Sequence, residues 1–233
     1  MQDRALLLAI DTCGPVGSIA LGQQLYGEFR KLGDVQLGGR RNSEVLVGET
    51  IGLLRRAKVR LASLHAIVVV NGPGSFTGVR VGVSAVKGLA EGNQTPVVAV
   101  SRLQVLASAS GVPSAALDAH RNEIFLRLAE PSAAARELLA GAAELASISP
   151  PPRVAFCDES AAQLLKSAWP ATELVQFRAP TAADALMFAL PRVDAGEFVD
   201  LALLDGNYLR RSDAEIFGAE IFGGKPPAEP RVE

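Results

Sequence analysis

The sequence predicts an α/β protein of two related lobes, and three observations support this fold class. First, 48% of the 233 residues are hydrophobic and only 5% are aromatic, so the core must be built from aliphatic side chains, as in sheets buried between helices. Second, short apolar runs alternate with helical segments. Third, this order begins again after Gly111. The predicted lobes cover residues 1–103 and 104–222.

The chain opens with three strand candidates before its first helix. Ala5–Ile10 is a short apolar run that ends at Asp11, which is typical of a buried strand. Val16–Leu21 and Gln24–Lys31 are further candidates, and the turn-prone pair Gly22-Gln23 separates them. This succession predicts a β-meander at the start of the first lobe.

The rest of the first lobe alternates helices with buried strands. Ser43 is the predicted N-cap of a helix at 43–57, with Glu44 in its first turn, where the helix dipole favours an acidic side chain. The remaining predicted elements are the strand Ala66–Val70, the helix 77–91, the strand Val97–Val100 and the helix from Ser101 to Ser110.

The second lobe repeats the opening of the first. A strand at Ser114–Leu117 ends at Asp118, as the first strand of the chain ends at Asp11. The tail 223–233 is rich in glycine and proline, which predicts disorder. The other predicted elements are the strands Glu123–Ala129, Arg153–Cys157 and Glu173–Phe177 and the helix Thr181–Leu190.

The charge distribution argues against RNA binding by this chain alone. Its net charge is −2 and its pI is near 5.8. Proteins that grip RNA by themselves show a basic face, because phosphate contacts dominate their affinity. Here the basic clusters are short, the longest being Arg55-Arg56 with Lys58 and Arg60. We therefore expect any RNA to be held mainly by another protein.

The cysteines and the hydropathy pattern predict a cytoplasmic protein. Cys13 and Cys157 have no paired spacing, so both are expected to be buried free thiols in a reducing compartment. The apolar run Ala5–Ile10 is too short for the core of a signal peptide, and no later segment approaches the length of a membrane span.

The most informative stretch is the glycine loop between the strand Ala66–Val70 and the helix 77–91. Backbone N–H groups at the start of a helix can hold a phosphate. However, the glycines at 72, 74 and 78 fit neither the dinucleotide fingerprint nor the P-loop, and Pro73 removes one N–H donor. A tight turn between strand and helix is therefore the alternative to a phosphate site.

The helix 77–91 carries glycines that need an explanation, because an interior glycine costs about 1 kcal/mol relative to alanine. Gly78 and Gly82 share one face, so another segment can approach it closely. That segment belongs either to the same chain or to a partner. The helix 43–57 has apolar residues beyond one stripe, which also favours a second neighbour. The predicted interface with another chain comprises Leu46, Thr50, Leu53, Leu54, Gly78, Val79, Gly82, Val83 and Val86.

These segments resemble the TsaB (YeaZ) family, and the resemblance spans nearly the whole chain. The matching segments are the loop Gly72-Pro73-Gly74-Ser75-Phe76-Thr77-Gly78-Val79-Arg80-Val81-Gly82, the opening Leu8-Ala9-Ile10-Asp11-Thr12, the strand end Ala116-Leu117-Asp118-Ala119 and the late Tyr208-Leu209-Arg210-Arg211. The resemblance implies an actin/hexokinase/Hsp70-like (ASKHA) fold of two ribonuclease-H-like lobes, the second one reduced. One departure is Asn42, where family members often have His.

The resemblance also implies a function. Members of the family take part in making threonylcarbamoyl-adenosine beside the anticodon of tRNAs that read codons starting with A. The family's partners are the catalytic paralogue TsaD and the ATPase TsaE, and a TsaB chain alone pairs with itself. The implied expectations are that tRNA is reached only through the complex, that the partner complex uses ATP and Mg²⁺, and that this chain holds no cofactor.

Two classes of function are open, a scaffold and an active nucleotide-dependent kinase or ATPase. A metallopeptidase is excluded because His65 and His120 are far apart, whereas zinc sites need grouped ligands. Asp11 with Thr12 and Asp118 end the two opening strands, and such carboxylates could hold Mg²⁺. The turn directly after Asp118, Ala119-His120-Arg121-Asn122, contains no glycine, so its backbone cannot approach a phosphate closely. The sequence therefore predicts a degenerate nucleotide site, no metal and no catalytic residues.

Overall fold

The computed structural model describes residues 4–38, 42–130 and 133–210, and these form two five-stranded sheets with six α-helices. Along these residues, no helix is long and apolar enough to cross a membrane. The predicted disordered tail 223–233 lies outside them. The strands are β1 Arg4–Asp11, β2 Gly17–Leu25, β3 Glu28–Leu37, β4 Ala66–Val70, β5 Val97–Val100, β6 Ala115–Asp118, β7 Ile124–Glu130, β8 Ala133–Ala140, β9 Arg153–Phe156 and β10 Glu173–Gln176. The helices are α1 Asn42–Arg56, α2 Phe76–Glu91, α3 Arg102–Ser110, α4 Ala142–Ser147, α5 Glu159–Ala168 and α6 Ala182–Asp194.

The two sheets have the same topology. In the first, the order is β3-β2-β1-β4-β5, with β1, β2 and β3 antiparallel and β1, β4 and β5 parallel. In the second, the order is β10-β9-β6-β7-β8, which is the same arrangement with each strand replaced by the one five places later. The predicted duplication of the opening strands is therefore confirmed, although β8 and α4 were not predicted.

Helices cover both faces of the first sheet. Strand β4 and the segment Leu7–Ile10 of β1 are buried at every position, and successive side chains of a strand point to opposite faces. Helices α1 and α2 pack together and against this sheet, whereas α6 packs against it beside α3. This double burial explains why the two strands are continuous apolar runs without alternation.

The turn between β2 and β3 lies four residues later than predicted. Strand β2 continues through Gly22-Gln23, and the chain reverses at Tyr26 and Gly27, which have φ values of 49° and 82°. Positive φ at both central residues is the requirement of a two-residue hairpin turn that matches the twist of the strands. At the predicted break, the pairing of β2 with β3 shifts its register between Leu21 and Gly22, so a bulge is found there in place of a turn.

The last helix of the chain packs on the first sheet. Ala182, Leu186 and Val193 of α6 belong to the same hydrophobic core as β1 and β4. Ala182 N–H donates to Ser18 Oγ at 2.8 Å, so the start of α6 is fixed to β2. Residues 182–194 thus lie within the predicted second lobe in sequence and against the first sheet in space.

Helix α1 begins at Asn42, so Ser43 lies inside the helix and is not its N-cap.

Candidate functional site: the cleft between the lobes

A cleft of about 580 Å³ lies where the carboxyl ends of β1 and β4 meet the second lobe. Four segments form its walls: the hairpin Cys13–Pro15, the glycine loop at residues 73–76, the turn at residues 118–121, and the late segment Asn207–Arg210. Asp158 and Phe125 of the second lobe also line it. Asp11 does not, because its side chain is only 2% exposed beneath the hairpin.

The hairpin after β1 is fixed by its own polar side chains. Asp11 Oδ1 accepts a hydrogen bond from Cys13 N–H at 2.9 Å, which closes a local turn. Thr12 Oγ1 donates to the carbonyl oxygen of Gly78 at 2.6 Å and so joins the hairpin to α2. Both predicted residues of the first half-site, Asp11 and Thr12, therefore have structural partners within the chain.

A buried arginine, which was not predicted from the sequence, supplies the counter-charge of Asp11. Arg102 is the first residue of α3, its side chain is 7% exposed, and its Nε lies 3.6 Å from Asp11 Oδ2. That separation is an ion pair rather than a hydrogen bond. Burial lowers the pKa of Arg102, but the attraction of Asp11, followed by Cys13, Cys157 and Asp158, holds the pKa above its ordinary value. The guanidinium therefore stays charged.

The position of Arg102 blocks the tip of the first hairpin. A side-chain carbon at Gly14 would overlap the guanidinium of Arg102, so the two groups are already in close contact. In a phosphate-binding hairpin, this is where a phosphate would approach the backbone. A fixed positive charge therefore occupies the space and neutralises the carboxylate that a bound Mg²⁺ would need.

The carboxylate of the second predicted half-site, Asp118, also has partners within the protein. Asp118 Oδ1 accepts from His120 N–H at 2.8 Å, and its Oδ2 lies 3.0 Å from His120 Nδ1. Asp118 N–H itself donates to Asp158 Oδ2 at 3.1 Å. Among the residues that the structure describes, no group of three or more His, Cys, Asp or Glu side chains could hold a metal ion.

The turn after Asp118 takes a left-handed conformation without glycine. His120, Arg121 and Asn122 have φ values of 60°, 57° and 59°, each of which costs free energy for a residue with a side chain. Arg210 braces this turn, because it donates to the carbonyl oxygen of Ala119 at 2.7 Å and forms an ion pair with Glu123. The turn between β6 and β7 is thus held rigidly, and it has no glycine whose backbone could approach a phosphate closely.

Aromatic side chains form the apolar part of the cleft. The rings of Phe76 and Tyr208 are 4.9 Å apart at an angle of 47°, and the guanidinium of Arg80 lies 3.9 Å from the centre of the Phe76 ring. Asn207 ties the late segment to the glycine loop, because its N–H donates to the carbonyl oxygen of Asn71 at 2.7 Å. Arg80, a residue of the motif loop, therefore positions Phe76 by a cation–π contact.

Neither cysteine near the cleft is activated. Burial, followed by the nearby Asp11, raises the pKa of the Cys13 thiol well above its ordinary value. Burial, followed by Asp158, raises the pKa of Cys157 to about 12. A nucleophilic cysteine needs a lowered pKa, so neither thiol is a nucleophile. Cys13 is buried as predicted, whereas Cys157 is only partly buried.

The glycines of the motif loop and of α2 allow close packing inside the chain. A side-chain carbon at Gly74, Gly78 or Gly82 would overlap Cys13, the Thr12 carbonyl oxygen or Thr12 Oγ1, respectively. Helix α2 therefore lies directly against the hairpin after β1. The prediction that Gly78, Gly82 and Val86 form the centre of a contact with another chain is corrected, since the neighbour that needs these glycines is the chain's own hairpin.

The other residues of the predicted interface are also buried in the first core. Thr50 is fully buried, and its hydroxyl donates to the carbonyl oxygen of Leu46 at 2.8 Å. The remaining buried members are Leu53, Leu54, Val79 and Val83. The sides of α1 and α2 that face outward carry different residues, among them Val47 and Ile51, which are 45% and 41% exposed. The residues named for the interface are thus mostly core residues of the first lobe, and contact of α1 or α2 with another chain stays a prediction.

Comparisons with known proteins match the chain to proteins of tRNA threonylcarbamoyladenosine biosynthesis. Residues 37–164, more than half of the chain, match the family model described as TsaD, tRNA N6-adenosine threonylcarbamoyltransferase. The chain is 30% identical over 125 residues to the tRNA threonylcarbamoyladenosine biosynthesis protein TsaB of Escherichia coli (strain K12), which covers 51% of this chain and 52% of that protein. It is 35% identical over 126 residues to TsaB of Haemophilus influenzae, which covers 51% of each. The match thus spans about half the length of these curated relatives.

Solved structures extend the likeness to most of the chain. A crystal structure from Pseudomonas aeruginosa, described as an uncharacterized protein with similarity to peptidase YEAZ, is 27% identical with a TM-score of 0.73, and it covers 88% of this chain and 100% of that one. A structure described as YeaZ from Pseudomonas aeruginosa has a TM-score of 0.68 at 26% identity, with the same coverage. Together with the doubled strand order, these likenesses confirm the predicted α/β fold of two related lobes.

Proposed function

Because the chain belongs to the TsaB (YeaZ) family, we propose that it is a non-catalytic subunit in the biosynthesis of threonylcarbamoyl-adenosine in tRNA. In this proposal the chain binds the catalytic paralogue TsaD and supports its activity as a scaffold. The tRNA is modified on the partner, and ATP with Mg²⁺ is used by the partner complex, which also includes the ATPase TsaE. The chain itself needs no cofactor and works in the cytoplasm.

The observation that carries the scaffold role is the ion pair between Arg102 and Asp11. In an active member of this fold, the first hairpin must receive a phosphate and its strand-end carboxylate must be free for a metal ion. Here Arg102 lies against Gly14 and neutralises Asp11. Removing this arginine from the site would leave Asp11 buried without a counter-charge, so the pair is a lasting part of the core.

The outer side of α1 supports the binding part of the proposal. Val47 and Ile51 are apolar and exposed on α1, beside the open position Gly48. Exposed apolar side chains that lie together mark a contact surface more often than isolated ones do. We place the TsaD contact there, and the homodimer of the chain alone at the same surface.

The proposal is tested by deleting the gene and measuring threonylcarbamoyl-adenosine in bulk tRNA by nucleoside analysis. We expect the modification to disappear, and a copy carrying Asp118→Asn to restore it, because the amide still accepts the bond from His120. Purified full-length protein should neither hydrolyse ATP nor cleave peptides above background. Unchanged modification in the deletion strain would overturn the pathway. ATP hydrolysis that Asp118→Asn abolishes would overturn the non-catalytic role.

A further inference from the structure

One long segment of this acidic protein contains no acidic residue. Between Glu49 and Glu91 the sequence has no Asp or Glu, although the whole chain carries a net charge of −2. The same segment holds six Lys and Arg residues, namely Arg55, Arg56, Lys58, Arg60, Arg80 and Lys87. Two of them have partners elsewhere, because Arg80 lies over the Phe76 ring and Lys87 Nζ donates to the carbonyl oxygen of Ala202. The other four follow one another closely at the end of α1.

The fold places this cluster at a second cavity. A groove of about 470 Å³ is lined by Leu6, Lys58, Val59, Arg60, Ser63, Leu64 and His65. Leu6 lies near the start of β1, and His65 directly precedes β4. Because β1 and β4 are parallel, the groove lies at the opposite end of the first sheet from the cleft between the lobes. It is therefore a separate site.

The two cations of the groove, Lys58 and Arg60, have no carboxylate partner among the residues that the structure describes. The last turn of α1 explains Arg55 and Arg56, since the helix dipole favours cations there, and Arg56 also lies 4.0 Å from Glu49. Lys58 and Arg60 come after the helix and are exposed. Within the described part of the chain, neither side chain forms a hydrogen bond or an ion pair. Neither the helix dipole nor a salt bridge accounts for them.

We propose that this groove binds the phosphodiester backbone of RNA, and the proposal rests on the tRNA pathway proposed above. Lys and Arg side chains supply most protein contacts to phosphates, and they need no base-specific geometry. Phe, Tyr and Trp, the rings that usually stack on bases, are not among the residues that line the groove, so contacts to phosphates dominate over base stacking. It contacts the backbone of the tRNA while TsaD holds the modified nucleoside. The chain is thus a secondary RNA contact of the complex.

The test measures binding of fluorescently labelled tRNA to the purified full-length chain by anisotropy, from about 20 to about 200 mM KCl. The test variant is Lys58→Glu/Arg60→Glu. The control variant, Arg153→Glu/Lys166→Glu, changes the net charge equally in the second lobe, where Arg153 only pairs at the surface with Glu173. We expect the test variant to bind at least about tenfold more weakly at low salt, and the slope of log affinity against log salt to fall by about 2.

Three outcomes would overturn the proposal. The first is a wild-type chain that shows no tRNA binding at the lowest salt. The second is an equal loss of binding in both variants, which would report net charge alone. Displacement of the tRNA by inorganic phosphate far more effectively than by chloride of equal ionic strength would indicate a site for a small anion. Failure of the groove is distinguishable from failure of the pathway, because a chain without the groove should still bind TsaD and its gene would still be needed for the modification.

Discussion

The guanidinium of Arg102 lies 3.6 Å from the carboxylate of Asp11, and this buried ion pair joins the start of α3 to the end of β1. Both side chains are almost fully buried, and within the described residues Arg102 Nε has no hydrogen-bond partner. The Coulomb attraction must therefore offset the desolvation of two charges without the help of a good hydrogen bond. The pair joins the hairpin that lines the cleft to the first turn of α3.

The first prediction concerns this pair. Arg102→Met removes the positive charge and leaves Asp11 buried without compensation, so we expect the free energy of unfolding to fall by about 3–5 kcal/mol. The double variant Asp11→Asn/Arg102→Met buries no charge and should recover a large part of the loss. Urea denaturation of the two variants and the wild type gives the three values. A loss below about 1 kcal/mol in Arg102→Met would show that the pair contributes little.

The elements that were predicted best are those whose sequence pattern and environment agree. Strands β1 and β4 are apolar throughout because both faces of the first sheet are covered. Strand β8, Ala133–Ala140, was missed because it consists of Ala, Arg, Glu and Leu, which are good helix formers. Its pairing with β7 overrides that propensity. No local sequence pattern indicates such a strand.

The candidate site was predicted in part. Asp11 and Asp118 were found because both end an opening strand, which is a local pattern. Arg102 was missed because its role depends on a contact with a residue distant in sequence. The one local signal is its position in the first turn of α3, where the helix dipole disfavours a cation. The glycines of α2 were noticed, but their neighbour proved to be the hairpin of the same chain.

The second prediction separates two glycines of α2. Gly82 lies against Thr12 Oγ1, whereas a side-chain carbon at Gly88 would meet no atom within 4 Å. Gly82→Ala should therefore destabilise the chain by about 1–3 kcal/mol through overpacking. The matched control Gly88→Ala should stabilise it by about 0.5–1 kcal/mol, because alanine is the better helix former. Thermal melting measures both, and equal effects at the two positions would contradict the packing described for Gly82.

The third prediction uses the pH dependence of the cap of α6. Burial tends to raise the pKa of Asp184, but hydrogen bonds from Arg178 and Thr181 outweigh it and lower the pKa. A lowered pKa in the folded state means that the carboxylate stabilises the fold above its unfolded pKa and loses this effect as the pH falls through the folded pKa.

Asp184→Asn should therefore lower the melting temperature at neutral pH, with a loss of about 1 kcal/mol for a weakened helix cap. The difference from the wild type should shrink as the pH falls below the ordinary range of an aspartate. Melting curves at several pH values test this, with the exposed Glu28→Gln on β3 as the control. A difference between Asp184→Asn and the wild type that is the same at every pH would show that the charge is not involved.

The last prediction concerns the outer side of α1, where association with another chain is proposed. Ile51 is 41% exposed, and the outer side of α1 faces solvent in the isolated chain. Ile51→Glu should leave the fold intact, because the new carboxylate stays hydrated in the monomer. In a contact it would lose water without gaining a partner, so association with TsaD or with a second copy should weaken at least about tenfold. Val47→Glu should act in the same direction.

The matched control is Met187→Glu, which introduces the same charge on α6. Met187 is 53% exposed, and α6 packs on the other face of the first sheet. Sedimentation velocity measures self-association, a pull-down with purified TsaD measures the second contact, and thermal melting checks the fold of every variant. A specific contact buries at least roughly 1,000 Å² in total, so one introduced charge near its centre should weaken it measurably. If the Ile51→Glu variant associates as well as the Met187→Glu variant, α1 is not part of the interface.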